Sequence, residues 1–257
     1  MTASPEIRIV NSAADLFQAA ATEFAGMAAE AVRARGRFSV ALSGGSTPRG
    51  LYSLLASAAA PSIPWDKIVF FWSDERHVPP ENPDSNYRMA DEAMLSQVPV
   101  PPEHIFRIHG EEKDADAAAR AYAETLRSVF AVRSDAIRSG EIPRFDLILL
   151  GIGTEGHTAS LFPGSPALEE TRRLVVANWV EKLSTNRITF TYPLINHAAC
   201  VMFLVSGAEK AEILRQILEE PGDLPAQRVR PVNGKVFWLA DHAAAAKLSD
   251  SDWAAAP

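Results

Sequence analysis

The sequence predicts an α/β fold in which a mainly parallel sheet is flanked by helices. Short β-branched and aromatic runs alternate along the chain with alanine-rich segments, which is the pattern of repeated strand and helix units. The strand runs are almost continuously apolar, which indicates a sheet buried on both faces. At 257 residues the chain is long for one average domain and short for two. We therefore expect one α/β domain over residues 1–257, with a Rossmann-like sheet and a smaller lobe or strand insertion.

The first predicted helix covers residues 12–35. Ser12 can cap its first turn, an apolar stripe that includes Leu16 and Phe24 recurs at helical spacing, and Gly36 is a stop signal. Further helices are predicted from Pro48 onward and over residues 86–95, 114–138, 208–218 and 241–247. The predicted strands are Phe38–Leu42, Ile68–Trp72, Phe145–Leu150, Leu174–Ala177, Arg187–Phe190, Cys200–Val205 and Val236–Leu239.

The composition excludes several classes of protein. The formal net charge is −7, so a broad basic surface for nucleic acid is not expected. No segment has the roughly 18 uninterrupted apolar residues of a membrane helix, and the N-terminus has no secretory pattern. The single cysteine, Cys200, excludes an internal disulfide framework and lies in an apolar run, where we expect it to be buried and inert. These features predict a cytoplasmic protein with neither nucleic-acid nor membrane partners.

Four of the predicted strands end in loops that are rich in polar residues. In open α/β sheets, ligands bind outside the carboxyl ends of the strands, so loops that meet there would form one site. The sequence therefore predicts a single binding site built from several loops. These loops cover residues 43–48, 73–77, 151–158 and 206–210.

The first of these loops reads Ser43-Gly44-Gly45-Ser46-Thr47 and leads into the helix that begins at Pro48. Adjacent glycines allow backbone N–H groups to face an anion, and a helix N-terminus adds partial positive charge. The loop predicts a phosphate cradle, although a tight turn that needs glycine for its geometry alone explains the same residues. Lys210 stands at the start of another helix, where a solvated surface lysine is the simpler interpretation unless an anion lies between it and the cradle.

The second loop contains Asp74, Glu75, Arg76 and His77 in succession. Arg76 could hold a phosphate or an oxyanion that develops during a reaction. A solvated charged turn with local ion pairs is the alternative interpretation. The nearby Ser85 opens a predicted helix and could be an ordinary cap.

The third loop places Glu155 and His157 among three glycines, directly after a buried strand. A histidine there can act as a general base near neutral pH, and Glu155 can orient it or hold charge. A histidine that caps a turn is the alternative. The sequence has no His-x3-His or Cys-x2-Cys spacing, so neither a metal nor a cofactor is expected. Ser160 lacks the Gly-x-Ser-x-Gly surroundings of a serine nucleophile.

Five motifs in this order resemble the 6-phosphogluconolactonase family of the sugar-phosphate-isomerase-like type, as distinct from its β-propeller type. The superfamily also contains glucosamine-6-phosphate deaminase. The resemblance extends from about residue 42 to residue 246. The motifs are SGGSTP (43–48), SDERHVP (73–79) with DSNYR (84–88), DLILLGIGTEGHTASLFPG (146–164), NRITFTYPLIN (186–196) and FLVSGAEKAEIL (203–214).

Two positions favour the lactonase over the deaminase within this resemblance. The deaminase pattern ends in Asn-Glu-Pro-Gly, whereas this chain reads Leu161-Phe162-Pro163-Gly164 and lacks the carboxylate. The deaminase also has tyrosine where this chain has Arg76. One position departs from the lactonase pattern, since Thr154-Glu155 stands where Pro-Asp is usual.

The resemblance implies hydrolysis of 6-phospho-D-glucono-1,5-lactone to 6-phosphogluconate by a single catalytic domain, without a metal, through base activation of water. Two rival functions remain open, a deaminase acting on glucosamine 6-phosphate and a non-catalytic module that binds sugar phosphates. The expected partner is the small lactone substrate, and the oligomeric state is open. The implied catalytic residues are His157, Arg76 and Asp74, and the implied phosphate-binding residues are Ser43, Gly44, Gly45, Ser46, Thr47, Arg187 and Lys210.

Overall fold

The computed structural model describes residues 6–130 and 142–249, which form two sheets. Their strands are β1 (Glu6–Val10), β2 (Phe38–Leu42), β3 (Ile68–Trp72), β4 (Asp74–Arg76), β5 (Leu147–Leu150), β6 (Val175–Val180), β7 (Thr185–Phe190), β8 (Cys200–Val205) and β9 (Lys235–Asp241).

The larger sheet has six strands in the order β1-β9-β8-β5-β2-β3, and every neighbouring pair is parallel. The smaller sheet has three antiparallel strands in the order β4-β7-β6. Strands β2, β3, β5 and β8 are buried along their whole length, as expected when helices cover both faces of a parallel sheet. The predicted α/β fold with a smaller strand insertion is confirmed.

The longest helix, α1, matches its prediction closely. The Ser12 side chain accepts a hydrogen bond from the Asp15 backbone N–H, and Gly36 ends the helix with a φ of 76°. None of the described helices combines the length and apolar character needed to cross a membrane. The α-helices in the described residues are α1 (Ala13–Arg35), α2 (Ser46–Leu55), α3 (Asn86–Ala93), α4 (Ala115–Val129), α5 (Tyr192–Ile195), α6 (Ala211–Glu219) and α7 (His242–Ala245).

The segment Asp74–Arg76 corrects one prediction, because it forms strand β4 and not part of a loop. Three charged residues have low intrinsic strand propensity, so nothing local indicates a strand. The strand forms because β7 supplies an antiparallel partner, with Asp74 opposite Thr189 and Arg76 opposite Arg187. The correction matters for the site, since residues 74 and 76 now share one face of the small sheet.

Several boundaries also differ from the predictions. Strand β1 was not predicted, although Ile7 is buried and residues 6–10 pair with β9 along the edge of the sheet. Helix α2 begins at Ser46, before the expected Pro48, because proline fits the first turn of a helix, where its missing N–H costs nothing. The predicted helix 114–138 is observed as α4, and its last part lies outside the described residues. Cys200 is buried as expected, and its burial raises the pKa of the thiol to about 11.

Tyr122 of α4 anchors the carboxyl end of β3. Its hydroxyl accepts a hydrogen bond from the Trp72 backbone N–H at 2.8 Å and donates to the Phe106 carbonyl at 3.1 Å. Burial raises the pKa of this phenol, so it stays protonated and can donate. Its ring stacks on Phe190 of β7, so one residue ties the two sheets together.

Tyr122→Phe is therefore expected to lower the free energy of unfolding by about 1–3 kcal/mol, because the buried Trp72 N–H loses its acceptor. Urea denaturation followed by tryptophan fluorescence measures the change. Thr125→Val in the same helix is the matched control and should stay within about 0.5 kcal/mol of the wild type. Equal destabilisation of the two variants would contradict this anchoring role.

Candidate active site

The four polar loops follow four strands that are neighbours in the larger sheet. These strands lie in the order β8-β5-β2-β3, and all run in the same direction. Their loops therefore lie side by side at one edge of the sheet, which confirms the expected convergence. The Ser73 backbone N–H extends the ladder between β3 and β2 by donating to the Leu42 carbonyl at 2.8 Å.

The Gly44-Gly45 pair is required by its surroundings as well as by its turn. A Cβ on Gly44 would lie 1.9 Å from Oδ1 of Asn86, and Gly45 has a φ of 111°. Gly45 is also the residue before α2 and has no side chain to cap it, so the first N–H groups of α2 at Ser46 and Thr47 stay available. The two glycines are thus needed for the geometry of the turn, and the N–H groups of Ser46 and Thr47 also allow this loop to bind an anion.

Asn86 fastens this loop to the second one. Its Nδ2 donates to the Asp74 carbonyl at 2.9 Å while its Oδ1 faces Gly44. The Asp74 carboxylate is buried and accepts a short hydrogen bond from the Ser160 hydroxyl, at 2.6 Å. The Ser160 backbone N–H donates in turn to the Thr189 hydroxyl at 3.2 Å. The hydroxyl and the backbone N–H of Ser160 are thus both used in holding its loop to β4 and β7.

Glu75 points to the opposite face of β4 and has a structural role. Its buried carboxylate accepts hydrogen bonds from the backbone N–H groups of Asn86, Tyr87 and Arg76 and from the Ser85 hydroxyl. Burial raises the pKa of Glu75, while the three N–H groups counteract that rise. Glu75 and Ser85 therefore cap α3, and the interpretation of Ser85 as an ordinary cap is confirmed.

Arg76 and Arg187 lie directly opposite each other on β4 and β7. Side chains at such paired positions point to the same face, and two like charges there destabilise the sheet. Burial and then the charge of Arg76 lower the pKa of Arg187, while Asp74 counteracts them. Nε and Nη1 of Arg187 have no hydrogen-bond partner among the described residues. Two guanidinium groups on one face are suited to bind a phosphate or carboxylate anion.

The imidazole of His157 lies in a loop held by its own backbone. The Gly153 N–H donates to the His157 carbonyl at 2.9 Å, and the Thr158 hydroxyl donates to the Gly151 carbonyl at 2.9 Å. Nδ1 of His157 is 3.3 Å from Oε2 of Glu155, but the atoms are not aligned as a hydrogen bond, so this contact is electrostatic. The loop thus presents the imidazole next to a carboxylate, as the sequence predicts.

The net effect of burial and of the neighbouring charges is to lower the pKa of His157, which favours its neutral form. Burial lowers its pKa most, Glu155 and Asp74 raise it, and Lys210 lowers it again. A histidine that is unprotonated at neutral pH can accept a proton from water. The three charged residues that affect the pKa of His157 come from three of the four loops, because Asp74 follows β3, Glu155 follows β5 and Lys210 follows β8.

The loop after β8 is fixed by a carboxylate from the neighbouring strand. Asp241, at the end of β9, accepts hydrogen bonds from the Ser206 hydroxyl and the Gly207 backbone N–H. Gly207 has a φ of 101°, which turns the chain toward Lys210 at the start of α6. The structure therefore brings Asp74, Arg76, His157, Arg187 and Lys210 to the same edge as the Ser43–Thr47 loop.

Residues 11–238 match the family described as glucosamine-6-phosphate isomerases/6-phosphogluconolactonase. The chain belongs to this family. A 6-phosphogluconolactonase of Nostoc sp. is 42% identical over 222 residues, which is 85% of this chain and 88% of that protein. A chloroplastic 6-phosphogluconolactonase of Arabidopsis thaliana is 40% identical and covers 83% of this chain and 66% of its own length.

Solved structures extend the similarity to the whole fold. The 6-phosphogluconolactonase from Trypanosoma cruzi has a TM-score of 0.82 and 31% identity, covering 97% of this chain and 98% of its own. A monomeric glucosamine-6-phosphate deaminase has a TM-score of 0.75 at 22% identity, covering 94% and 99%. At that identity the deaminase supports the shared fold alone.

Some site residues were missed from sequence. Asn86 and Thr189 lie within the motifs at 84–88 and 186–196, but no site role was assigned to them. Asn178 lies in none of the motifs, although it is buried and its Nδ2 donates to the Ser160 carbonyl at 2.8 Å. A polar residue within an otherwise apolar strand, as at Asn178 in β6, is a signal that could have found it.

Glu155→Gln is expected to lower the pKa of His157 further, because the carboxylate that favours the imidazolium is removed. NMR titration of the His157 ring measures this shift. Lys182→Met is the matched control, since Lys182 Nζ lies 3.9 Å from Glu155 and only indirectly affects His157. A pKa that rises in the glutamine variant would contradict the assigned coupling.

Proposed function

We propose that this chain hydrolyses 6-phospho-D-glucono-1,5-lactone to 6-phosphogluconate, a step of the oxidative pentose phosphate pathway. The observation that carries the proposal is the largely buried imidazole of His157, which is coupled to Asp74 and Lys210, together with the paired cations Arg76 and Arg187 at the same edge of the sheet. The relatives named 6-phosphogluconolactonase support the same substrate. We also propose that residues 1–257 form a single catalytic domain. The one cysteine is buried and forms no disulfide, which is typical of a protein in a reducing compartment such as the cytoplasm.

The phosphate group of the substrate would bind the Ser43–Thr47 loop, Arg187 and Lys210. The loop offers the N–H groups and hydroxyls of Ser46 and Thr47, and Arg187 offers donors that are unpaired within the described residues. Binding of the phosphate, which does not itself react, would hold the lactone ring in a fixed orientation over the loop of His157. The paired arginines on β4 and β7 repel one another less when an anion lies between them.

The chemical step would begin when neutral His157 takes a proton from water. The resulting hydroxide forms a bond to C1 of the lactone, and the carbonyl electron pair moves onto oxygen. Arg76 or a backbone N–H of the glycine loops stabilises that oxyanion. When the bond from C1 to the ring oxygen breaks, protonated His157 returns its proton to that oxygen. Asp74 is buried, and we propose that it holds Ser160 and keeps the His157 loop aligned.

A deaminase or isomerase is the second candidate on this fold. In the family resemblance, that chemistry uses a glutamate where this chain has Phe162. The ring of Phe162 covers one face of His157, so an apolar group stands at that position. This arrangement favours hydrolysis over ring opening and proton transfer at C2.

His157→Ala is expected to lower kcat by about 10²–10⁴-fold with little change in KM, because a general base is lost while phosphate binding remains. Proton release from freshly generated lactone, above the spontaneous rate and with and without EDTA, measures this. Thermal melting of both proteins controls for folding. A folded wild type without activity would overturn the lactonase proposal, and ammonia release from glucosamine 6-phosphate would then be tested.

Arg187→Met and Lys210→Met are expected to lower kcat/KM by about 10–100-fold, since each removes a charged partner of the phosphate. Inhibition by inorganic phosphate should weaken in both variants. Lys182→Met, on the exposed turn between β6 and β7, is the matched control for loss of a lysine charge. Variants in which kcat and KM change as they do for His157→Ala would contradict this division of roles.

A further inference from the structure

We propose that Phe162 and Gly153 are positioning residues that clamp the imidazole of His157 in one orientation. This inference rests on the proposed function, because it assigns the two residues a part in preparing the base. Neither residue was identified from sequence as acting on His157. Three observations support the clamp: one concerns a face of the ring, one an edge of the ring, and one the turn that leads from His157 to Phe162.

Phe162 covers one face of the imidazole. The two ring centroids are 4.2 Å apart and the planes are inclined by 28°, which is a stacked arrangement. Stacking of aromatic rings gives a specific geometry beyond the burial of area. The imidazole of His157 therefore cannot rotate about its χ2 angle without losing its contact with the Phe162 ring.

Gly153 provides the space for one edge of the imidazole. A Cβ built on Gly153 would lie 2.0 Å from Nδ1 and 2.1 Å from Cε1 of His157. The φ of Gly153 is not in the left-handed region, so the space, rather than the backbone conformation, requires glycine. The Nδ1 edge is therefore held against Gly153 and Glu155, which leaves Nε2 as the nitrogen on the other edge of the ring.

A tight turn brings Phe162 back over His157. The Leu161 N–H donates to the Thr158 carbonyl at 2.9 Å, and the two residues form a bridge. Ala159, within this turn, has a φ of 47°, a left-handed conformation that costs energy for a residue with a Cβ. Such strain persists where the surrounding structure requires it and is concentrated at functional sites.

The clamp also keeps solvent from part of the ring, which acts in the same direction as the lowered pKa of His157. The charged groups that face His157 are Glu155 from its own loop, Asp74 from β4 and Lys210 from the start of α6. Lys182 contacts Glu155 from the turn after β6. Removing the Phe162 ring changes none of these charges, so its effect on titration is separable from theirs.

The test uses four variants of the full chain: Phe162→Leu, Phe162→Tyr, Gly153→Ala and Gly26→Ala. Phe162→Leu keeps an apolar side chain but removes the stacked ring. Phe162→Tyr keeps the ring and is the rescue variant. Gly153→Ala adds a methyl group at the edge of the imidazole, and Gly26→Ala is its control, because a Cβ on Gly26 meets nothing within 4 Å.

In Phe162→Leu we expect kcat to fall about 10–100-fold with KM within about twofold, since a misplaced base loses its alignment with the substrate. The acid limb of kcat/KM should move to higher pH, because water reaches the ring and its pKa rises. Phe162→Tyr should restore both values. Gly153→Ala should lose kcat while its melting temperature stays near that of the wild type, since the imidazole can move aside, and Gly26→Ala should retain full activity.

The His157 ring protons provide a readout that is independent of activity. In the wild type their NMR signals should show the upfield ring-current shift of a stacked aromatic, which is lost in Phe162→Leu and kept in Phe162→Tyr. Loss of this shift with unchanged kcat and an unchanged pH profile would overturn the clamp. An inactive wild type with the shift present would refute the lactonase proposal while supporting the stacked geometry.

Discussion

The hydrogen bond from the Ser160 hydroxyl to the buried Asp74 carboxylate, 2.6 Å long, joins parts of the chain that are 86 residues apart. Asp74 begins the small sheet, and Ser160 belongs to the loop that carries His157. Asn86 and Thr189 extend the same network to α3 and to β7. Buried polar groups are costly unless they are satisfied, so each member of the network restrains the next. The position of His157 relative to the two arginines depends on this network.

The electrostatics of the site follow from that restraint. Arg76 and Arg187 occupy paired positions where like charges repel, and Lys210 is a further cation, which lowers the pKa of His157. Fixed cations in a partly buried setting are unfavourable for folding but suited to holding an anionic substrate. The same burial keeps His157 neutral, so one environment prepares both the anchor for the phosphate and the base for water.

Much of the architecture could be predicted from local pattern. The bounds of β2, β3 and β8 were predicted to the residue, because each is a short, mostly apolar run that ends at a polar loop. Strand β4 could not be predicted in this way, since Asp74, Glu75 and Arg76 form a strand through their partner in β7. Strand β1, at the edge of the sheet, alternates charged and apolar residues, a pattern typical of a half-buried strand, so its sequence does contain a signal for it.

For the site, the sequence by itself determined which loops contain the polar and titratable residues. It also determined that these loops meet at one edge of the larger sheet, because parallel strands bring their carboxyl ends together. It did not determine that Glu75 caps α3, that Arg76 faces Arg187, or that Phe162 lies on His157. Those relations join residues on separate elements or across a folded turn, and they depend on packing and burial. The local sequence pattern determines whether apolar residues recur at helical or strand spacing. Only the tertiary structure determines which buried polar groups become hydrogen-bond partners.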